Sequence, residues 1–254
     1  MQKLIRPCHV VSILLMYVVQ MTATADEPKE VPAAISRIQE QVTADAKKRL
    51  EPLSTIDDQQ PQAIGKYSSR GDAQMFLADF KAAVGDYQSM VRLDPATDTS
   101  HWRLGIALFF AGQPKEAAAQ FDKYHAFDNV DRENGIWRFL SHYRAYGPEQ
   151  ARKELLKYEK DDRPPFPEVY RLFDGSMTPE QVLKSIPEDL SDAQKNSRLF
   201  YSHLYIGMLQ VVEGKDAEAK QSLAKAIENP WPREAGFGPN YMWHVARLQY
   251  FELK

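Results

Sequence analysis

The sequence predicts an all-α protein in which antiparallel helix pairs stack into a superhelix. Like residues recur at a spacing of 34 positions, as in the pairs Gly71/Gly105, Ala83/Ala117 and Tyr87/Phe121. A fixed period of this length is typical of repeat architectures, in which each unit buries its apolar face against the next. Helix-breaking glycines and prolines lie between the periodic segments. The apolar fraction of 43% is enough for a core and excludes a disordered chain.

Residues 1–25 have the three-part pattern of a secretory signal peptide. Lys3 and Arg6 form a basic start, an apolar run covers residues 10–19, and an Ala-x-Ala site ends at Ala25. A transmembrane helix needs about 20 apolar residues, and this run has half that length. The sequence therefore predicts cleavage after Ala25 and export, either to a periplasm or as a secreted protein.

Charge and cysteine usage exclude several functional classes. The formal net charge is −3, and loss of Lys3 and Arg6 with the signal makes the mature chain more acidic. Proteins that bind nucleic acid usually have a basic face, so no nucleic-acid partner is expected. The single cysteine, Cys8, lies before the apolar run of the signal. The mature chain therefore has no disulfide, no cysteine-rich zinc site and no acylated cysteine for a lipid anchor.

Residues 26–66 form a polar leader with one apolar stripe. Ile35, Ile38, Val42 and Leu50 fall on one face of a helix that would run from Pro32 to about Leu50. Two interpretations are open. The leader is either a partly ordered segment that packs on the first repeat, or an amphipathic helix through which the chain forms a homodimer.

Residues 67–160 are assigned to three repeats, and residues 199–254 to a fourth repeat with a C-terminal helix. Ala151 and Ala219 continue the period, because twice 34 positions separate them. Small residues at the Gly and Ala positions let two helices approach closely, and the large residue four positions after each Ala fills the gap. In the third repeat Phe139 replaces the small residue, which predicts a wider helix pair.

Turn residues mark the joints within the repeats. Gly112, Gly147 and Gly214 each fall between two predicted helices. Thr99 or Ser100 is expected to cap the first helix of the second repeat.

Residues 161–198 interrupt the repeats. Three prolines between positions 164 and 167 break any helix. Further on, Thr178 and Gln181 read as a capping box around a proline at the first helical position. The sequence predicts an irregular Pro-rich insertion with two short helices. A last helix over residues 241–251 is expected to cap the exposed end of the array.

The repeats resemble the tetratricopeptide repeat (TPR) family. Its signature combines an aromatic residue, Leu-Gly, Ala-x-x-x-Phe and a closing Pro. The second repeat matches it through Trp102, the pair Leu104-Gly105, Ala117 and Phe121. The resemblance implies a TPR-like superhelix (α-solenoid) whose concave groove binds a protein or an extended peptide.

The chain is also similar to NlpI-type envelope TPR adaptor proteins of bacteria. The similarity rests on the order of signal peptide, repeats and Pro-rich segment, which ends in a run over residues 173–183. It implies a periplasmic scaffold that brings other proteins together. NlpI-type proteins are lipid-anchored, whereas Cys8 is in the wrong place for acylation, so no anchor and no particular partner is carried over.

A search for catalytic chemistry gives no motif. The nucleophile elbow, the zincin helix, the phosphate loop and the dinucleotide fingerprint are all missing from the sequence. His101, His142 and His203 each follow a serine, but they occupy positions at which TPR helices pack aromatic residues. A packing role is therefore expected, and no catalysis or cofactor is predicted.

Paired carboxylates were weighed as metal ligands. Asp128 and Asp131 lack the spacing of an EF-hand calcium loop. Asp161 and Asp162 are interpreted as solvated loop charges. The sequence therefore predicts no metal site.

The TPR resemblance places defined positions of each repeat on the concave face. These positions are mostly apolar and aromatic, and an exposed surface of that kind usually marks a partner site. The predicted partner-binding residues are Phe76, Trp102, Ile106, Phe109, Phe110, Leu140, Tyr143 and Arg144. Glu133 and Tyr201 occupy inner positions of the third and fourth repeats. The alternative is that the superhelix or the leader covers this face.

These observations predict an exported scaffold that binds a protein or an extended peptide. Two alternatives are kept. One is an enzyme that modifies an envelope polymer with Asp72, His142 and Arg144 on the same face. The other is a structural module that self-associates through the helix at residues 32–50.

Overall fold

The computed structural model describes residues 32–160 and 162–253, which form helices joined by short loops without any β-strand. The predicted signal peptide and the start of the leader lie outside these residues. The twelve α-helices are α1 Ala33–Leu50, α2 Ala63–Phe76, α3 Phe80–Leu93, α4 Trp102–Phe110, α5 Pro114–Phe127, α6 Arg132–Tyr146, α7 Pro148–Lys153, α8 Phe166–Phe173, α9 Pro179–Lys184, α10 Asp192–Val212, α11 Asp216–Glu228 and α12 Phe237–Glu252.

Adjacent helices pack in pairs, α2 with α3, α4 with α5, and α10 with α11. The alanines of the 34-residue period lie in these contacts. Ala83, Ala117 and Ala219 have no exposed surface, and Ala151 on α7 is 1% exposed. The all-helical prediction and the packing of neighbouring helices are confirmed.

Glycines on the first helices of three pairs touch large residues on the second helices. A Cβ atom built on the glycine would overlap the partner side chain, at 2.7 Å for Gly71 against Tyr87, 2.6 Å for Gly105 against Phe121, and 2.8 Å for Gly207 against Leu223. These are the close approaches expected from the repeat spacing. The two helices of each pair can therefore pack at this distance only because glycine has no side chain.

The third helix pair differs from the others. Helix α7 is only six residues long, and Phe139 on α6 stands where the other pairs have glycine. The Phe139 ring packs against Phe173 of α8 at a centroid distance of 5.3 Å. Helix α8 from the Pro-rich interruption therefore packs on α6 where α7 is short.

The Pro-rich interruption contains the two short helices α8 and α9, as predicted. Thr178 and Gln181 form the expected capping box at the start of α9. Gln181 N donates to Thr178 Oγ1 at 3.3 Å, and Thr178 N donates to Gln181 Oε1 at 2.8 Å. The capping box gives hydrogen-bond acceptors to backbone N–H groups that have no partner within the first turn of the helix.

Helix α1 is the predicted amphipathic helix of the leader. Ile35 is fully buried, and Ile38 and Val42 pack against the core. The helix contacts α2 and α11. Its apolar stripe is thus covered within the chain, while self-association through α1 stays a prediction.

The cap of α4 differs from expectation. Thr99 and Ser100 belong to a 3₁₀ turn, Pro95–Ser100, and the capping group is His101. The Nδ1 atom of His101 accepts a hydrogen bond from Leu104 N at 3.3 Å. Helix α4 begins at Trp102, so its N-cap is His101, one residue after the predicted Ser100.

Candidate functional site

Helix α12 packs on α11 and also contacts side chains of α2 and α4. Ten consecutive residues, positions 241–250, are buried. The Tyr241 ring lies 5.4 Å from Phe76 and 4.9 Å from Trp102, measured between centroids, and His244 stacks on Phe76 at 3.6 Å. The sequence predicted that this helix covers the end of the array. The structure places it against residues predicted for the concave face.

Two polar residues secure α12 in this position. Arg247 has no exposed surface, and its Nη2 donates to the carbonyl oxygen of Phe76 at 2.6 Å. Its Nη1 donates to the side chain of Gln39 on α1. Burial lowers the pKa of Arg247 to about 10. Helix α12 therefore links α1 and α2, which the sequence period did not indicate.

The eight residues predicted to bind a partner have three kinds of surroundings. Trp102 and Tyr143 are half-buried, and Arg144 is exposed with its guanidinium 3.9 Å from the centroid of the Phe109 ring. The remaining five are buried, namely Phe76, Ile106, Phe109, Phe110 and Leu140. Of these five, Phe76 is covered by Tyr241 and His244 of α12.

A cavity of about 570 Å³ remains open beside α12. Four positions that the repeat pattern placed on the concave face line it, Trp102, Ile106, Glu133 and Tyr201. They come from α4, α6 and α10, so the fold brings residues of three helix pairs together here. The cavity is the accessible part of the predicted groove.

One wall of the cavity is aromatic. The aromatic side chains that line it are Trp102, Phe121, Tyr124, Trp137, Tyr201 and Trp231. The Trp231 ring lies 5.9 Å from that of Tyr201, edge-on. Such rings offer a large contact area with few rotatable bonds, which is common at binding surfaces.

Part of the cavity wall carries charge. Asp128, Asp131, Glu133, Asp162 and Arg163 line it. Arg163 Nη2 donates to Glu133 Oε2 at 2.7 Å, and Arg163 Nη1 lies 3.2 Å from Asp162 Oδ1 and 3.8 Å from Asp131 Oδ1. The arginine thus joins carboxylates from two segments of the chain.

Glu133 is the most perturbed carboxyl group of this wall. The hydroxyl of Tyr205 donates to its Oε1. Burial is the main cause that raises the pKa of Glu133, the neighbouring Asp131 adds to it and Arg163 opposes both, so that the pKa is about 7. The side chain therefore changes charge near neutral pH.

Backbone contacts fix the aspartates. Asp131 caps α6 and accepts from Glu133 N at 3.0 Å. Asp128 accepts from Val130 N at 2.9 Å, and Asp162 accepts from Arg132 N at 3.1 Å. The interpretation of Asp162 as a solvated loop charge is wrong, because its side chain is only 10% exposed and is paired with Arg163. Its other partner, Arg132 N, lies 30 positions away in the sequence, so no local pattern could indicate that contact.

Asp72, His142 and Arg144, the residues of the alternative catalytic hypothesis, each contact a different part of the chain. Asp72 accepts from Tyr87 at 2.6 Å and from Arg103 at 2.7 Å. His142 Nδ1 lies 3.4 Å from Glu154 Oε2 on the side of α7, whereas Arg144 lies over Phe109. These contacts do not join them into one constellation.

Within residues 32–160 and 162–253, no group of three or more His, Cys, Asp or Glu side chains is arranged to hold a metal ion. In the same part of the chain, no helix has both the length and the apolar character needed to cross a bilayer. A comparison of the sequence with protein-family models finds no match.

Proposed function

We propose that this chain is an exported TPR-like scaffold that holds a segment of a partner protein in the cavity between α4, α6 and α10. The contacts of Gly71, Gly105 and Gly207 with the second helices support TPR-like packing, because they recur at the positions that the family pattern requires. Export is inferred from the signal-peptide pattern of residues 1–25.

One observation carries the proposal. Inner-face residues of three helix pairs converge on an open cavity of about 570 Å³, within the range of about 300–1,000 Å³ typical of binding sites. A partner segment could place a few side chains in this volume while its backbone passes over the rim. The aromatic wall supplies the apolar contact area for such anchors.

The packing of α12 favours a polypeptide ligand. The inner face already holds one helical segment, through the rings of Phe76 and Trp102 against Tyr241. Helix α12 leaves the cavity open, since only residues at its start, Gly238, Pro239 and Met242, line it. We therefore place the partner contact at the cavity, and not at the buried Phe109.

The test fills the cavity without removing an existing contact. Ser197 on α10 lines the cavity and is half-buried, so Ser197→Trp introduces an indole where the partner would enter. Ala193→Trp, on the exposed start of the same helix, is the matched control. Cross-linking in the native envelope should capture partners with the wild type and with Ala193→Trp, and fewer with Ser197→Trp. Equal capture by all three proteins would contradict the proposal.

A second candidate function is general acid catalysis by Glu133. The observation that favours it is the raised pKa of this carboxyl group, about 7, in a cavity lined by aromatic rings. Purified protein should then hydrolyse envelope glycans or peptides, and Glu133→Gln should abolish turnover. A wild-type protein without turnover on either substrate class removes this candidate.

A further inference from the structure

We propose that the cavity selects its partner segment through one positively charged side chain, a lysine or an arginine, that enters beside the aromatic rings and the carboxylates. The inference rests on the proposed function, because it names the chemistry of the segment that the cavity holds.

Negative charge is in excess around the cavity. Asp128, Asp131, Glu133 and Asp162 line it, and Arg163 is the one cation among the described residues that do so. Three of these carboxylates already share the single guanidinium of Arg163. A concave site of one sign attracts ligands of the opposite sign and strengthens their interaction, because its apolar walls exclude solvent.

Burial of the carboxyl groups also leaves their negative charge poorly compensated. It raises the pKa of Asp131 and of Glu133, and in both cases burial is a stronger effect than the attraction of Arg163. The charged forms of these groups are thus under-compensated in the free protein. A second cation in the cavity would supply part of the missing compensation.

The aromatic wall suits a cation as well as an apolar stem. Trp102, Tyr201 and Trp231 face the cavity from three elements, and tryptophan gives the strongest cation–π attraction among side chains. The chain itself holds Arg163 by both kinds of contact, with its guanidinium 4.3 Å from the centroid of the Phe166 ring and 2.7 Å from Glu133. A ligand arginine or lysine would repeat this arrangement.

An unused acceptor points to a donor on the ligand. Asn134 lines the cavity and is 4% exposed. Its Nδ2 donates to the carbonyl oxygen of Phe121 at 3.2 Å, whereas its Oδ1 has no hydrogen-bond partner in the described part of the chain. Buried acceptors are normally paired. An ammonium or guanidinium group brings only donors, so it matches both this amide and the carboxylates.

The first experiment selects ligands without assuming a sequence. A random nonapeptide library displayed on phage is panned against the chain that begins at Asp26, and against Ser197→Trp as the blocked form. Peptides that bind only the open cavity should share a lysine or arginine at one position. Selected peptides without a shared basic residue would overturn the inference and leave the proposed function standing. A library that yields no cavity-dependent binder would count against the proposed function itself.

The second experiment measures the contribution of the charge. In a selected peptide, the anchoring arginine is replaced by citrulline, or the lysine by norleucine, and binding is followed by the fluorescence of the tryptophans in the cavity. The neutral peptide should bind at least about tenfold more weakly, the usual loss for a desolvated charge pair. An equal affinity of the charged and neutral peptides overturns the inference.

Variants of the protein test whether the carboxylates cause the preference for the charged peptide. Glu133→Gln should weaken the charged peptide about tenfold and the neutral peptide little, whereas Glu116→Gln on the exposed side of α5 should change neither. If Glu133→Gln does not fold, Asp131→Asn serves instead, because asparagine also caps a helix. Equal weakening of both peptides by the carboxylate variant would contradict a charge-selective site. An affinity for the free diamine cadaverine equal to that for the charged peptide would also overturn the inference, because the ligand would then be an amine and not a peptide side chain.

Discussion

Gly105 on α4 lies directly against the ring of Phe121 on α5. A Cβ atom at position 105 would lie 2.6 Å from Phe121 Cζ, closer than any van der Waals contact permits. Phe121 has no exposed surface and packs against Trp137 at a centroid distance of 6.1 Å. The ring therefore cannot swing away from an added methyl group, and the distance between α4 and α5 depends on the missing side chain.

Gly105→Ala should destabilise the protein by about 1–3 kcal/mol, the usual cost of forcing extra volume into a packed interface. Gly85→Ala on α3 is the matched control, because nothing lies within 4 Å of a Cβ atom there. This control should be stabilised by about 0.5–1 kcal/mol, since alanine is the better helix former. Urea unfolding of both variants measures the difference. Free-energy changes of the same sign would show that α4 and α5 do not pack as closely as described.

The packing of α12 against Phe76 and Trp102 makes a second prediction. Tyr241→Ala removes a fully buried ring that contacts Phe76 and Trp102, so we expect a loss of about 3–5 kcal/mol in unfolding free energy. Phe251→Ala changes the same helix at a position that is 38% exposed and should cost less than about 1 kcal/mol. Thermal unfolding compares the two. If the two losses are similar, α12 does not pack against Phe76 and Trp102 as described.

The repeat period predicted the local packing but not the position of α12. Residues such as Gly71 and Tyr87 lie 16 positions apart, and helix geometry alone brings them together once two helices pair. Arg247 and Gln39 are separated by about 200 positions, and no spacing rule connects them. A polar residue in the middle of a helix is normally assigned to the solvent side. The burial of Arg247 is therefore visible only in the folded structure.

For the cavity, too, the sequence predicted some features and others are visible only in the folded structure. The repeat pattern assigned Trp102 and Glu133 to the inner face, and both line the cavity. It gave no reason to connect Glu133 with Arg163, because the two side chains belong to a repeat helix and to the Pro-rich interruption. The electrostatic character of the site arises from that tertiary contact. Sequence periodicity thus indicated the surface, while the chemistry of the surface depends on an element outside the period.

The pKa of Glu133 predicts a pH dependence of stability. An unfolded glutamate titrates near 4.5, whereas burial raises the pKa in the folded state to about 7. Between these values the folded state binds more protons, so the free energy of unfolding falls as the pH rises from about 4.5 to about 7. The full contribution of Glu133 is about 3–4 kcal/mol, counted from the shift in pKa, and about 2–3 kcal/mol of it falls between pH 5 and pH 8.

Two buried histidines change the free energy of unfolding in the opposite direction over the acidic part of this pH range. Burial lowers the pKa of His101 and of His203 to about 4, so their contribution to stability is lost as the pH falls below about 6.5. The measurement is therefore the difference between wild type and Glu133→Gln at pH 5 and at pH 8. The variant should gain about 2–3 kcal/mol on the wild type between the two values, and Glu116→Gln should gain nothing. A difference that does not change with pH would contradict the raised pKa.

Two serines on α10 test whether the cavity is open in solution. Ser197 lines it and is half-buried, whereas Ser202, five residues further along the helix, has no exposed surface. The chain from Asp26 onwards contains no cysteine, so Ser197→Cys and Ser202→Cys each carry a single thiol. Ser197→Cys should react with a maleimide at least about 100-fold faster, because Ser202→Cys reacts only when the structure opens locally. A cavity-binding peptide should slow the first reaction and leave the second unchanged. Equal rates for the two thiols would mean that this part of the inner face is either closed in both places or not folded as described.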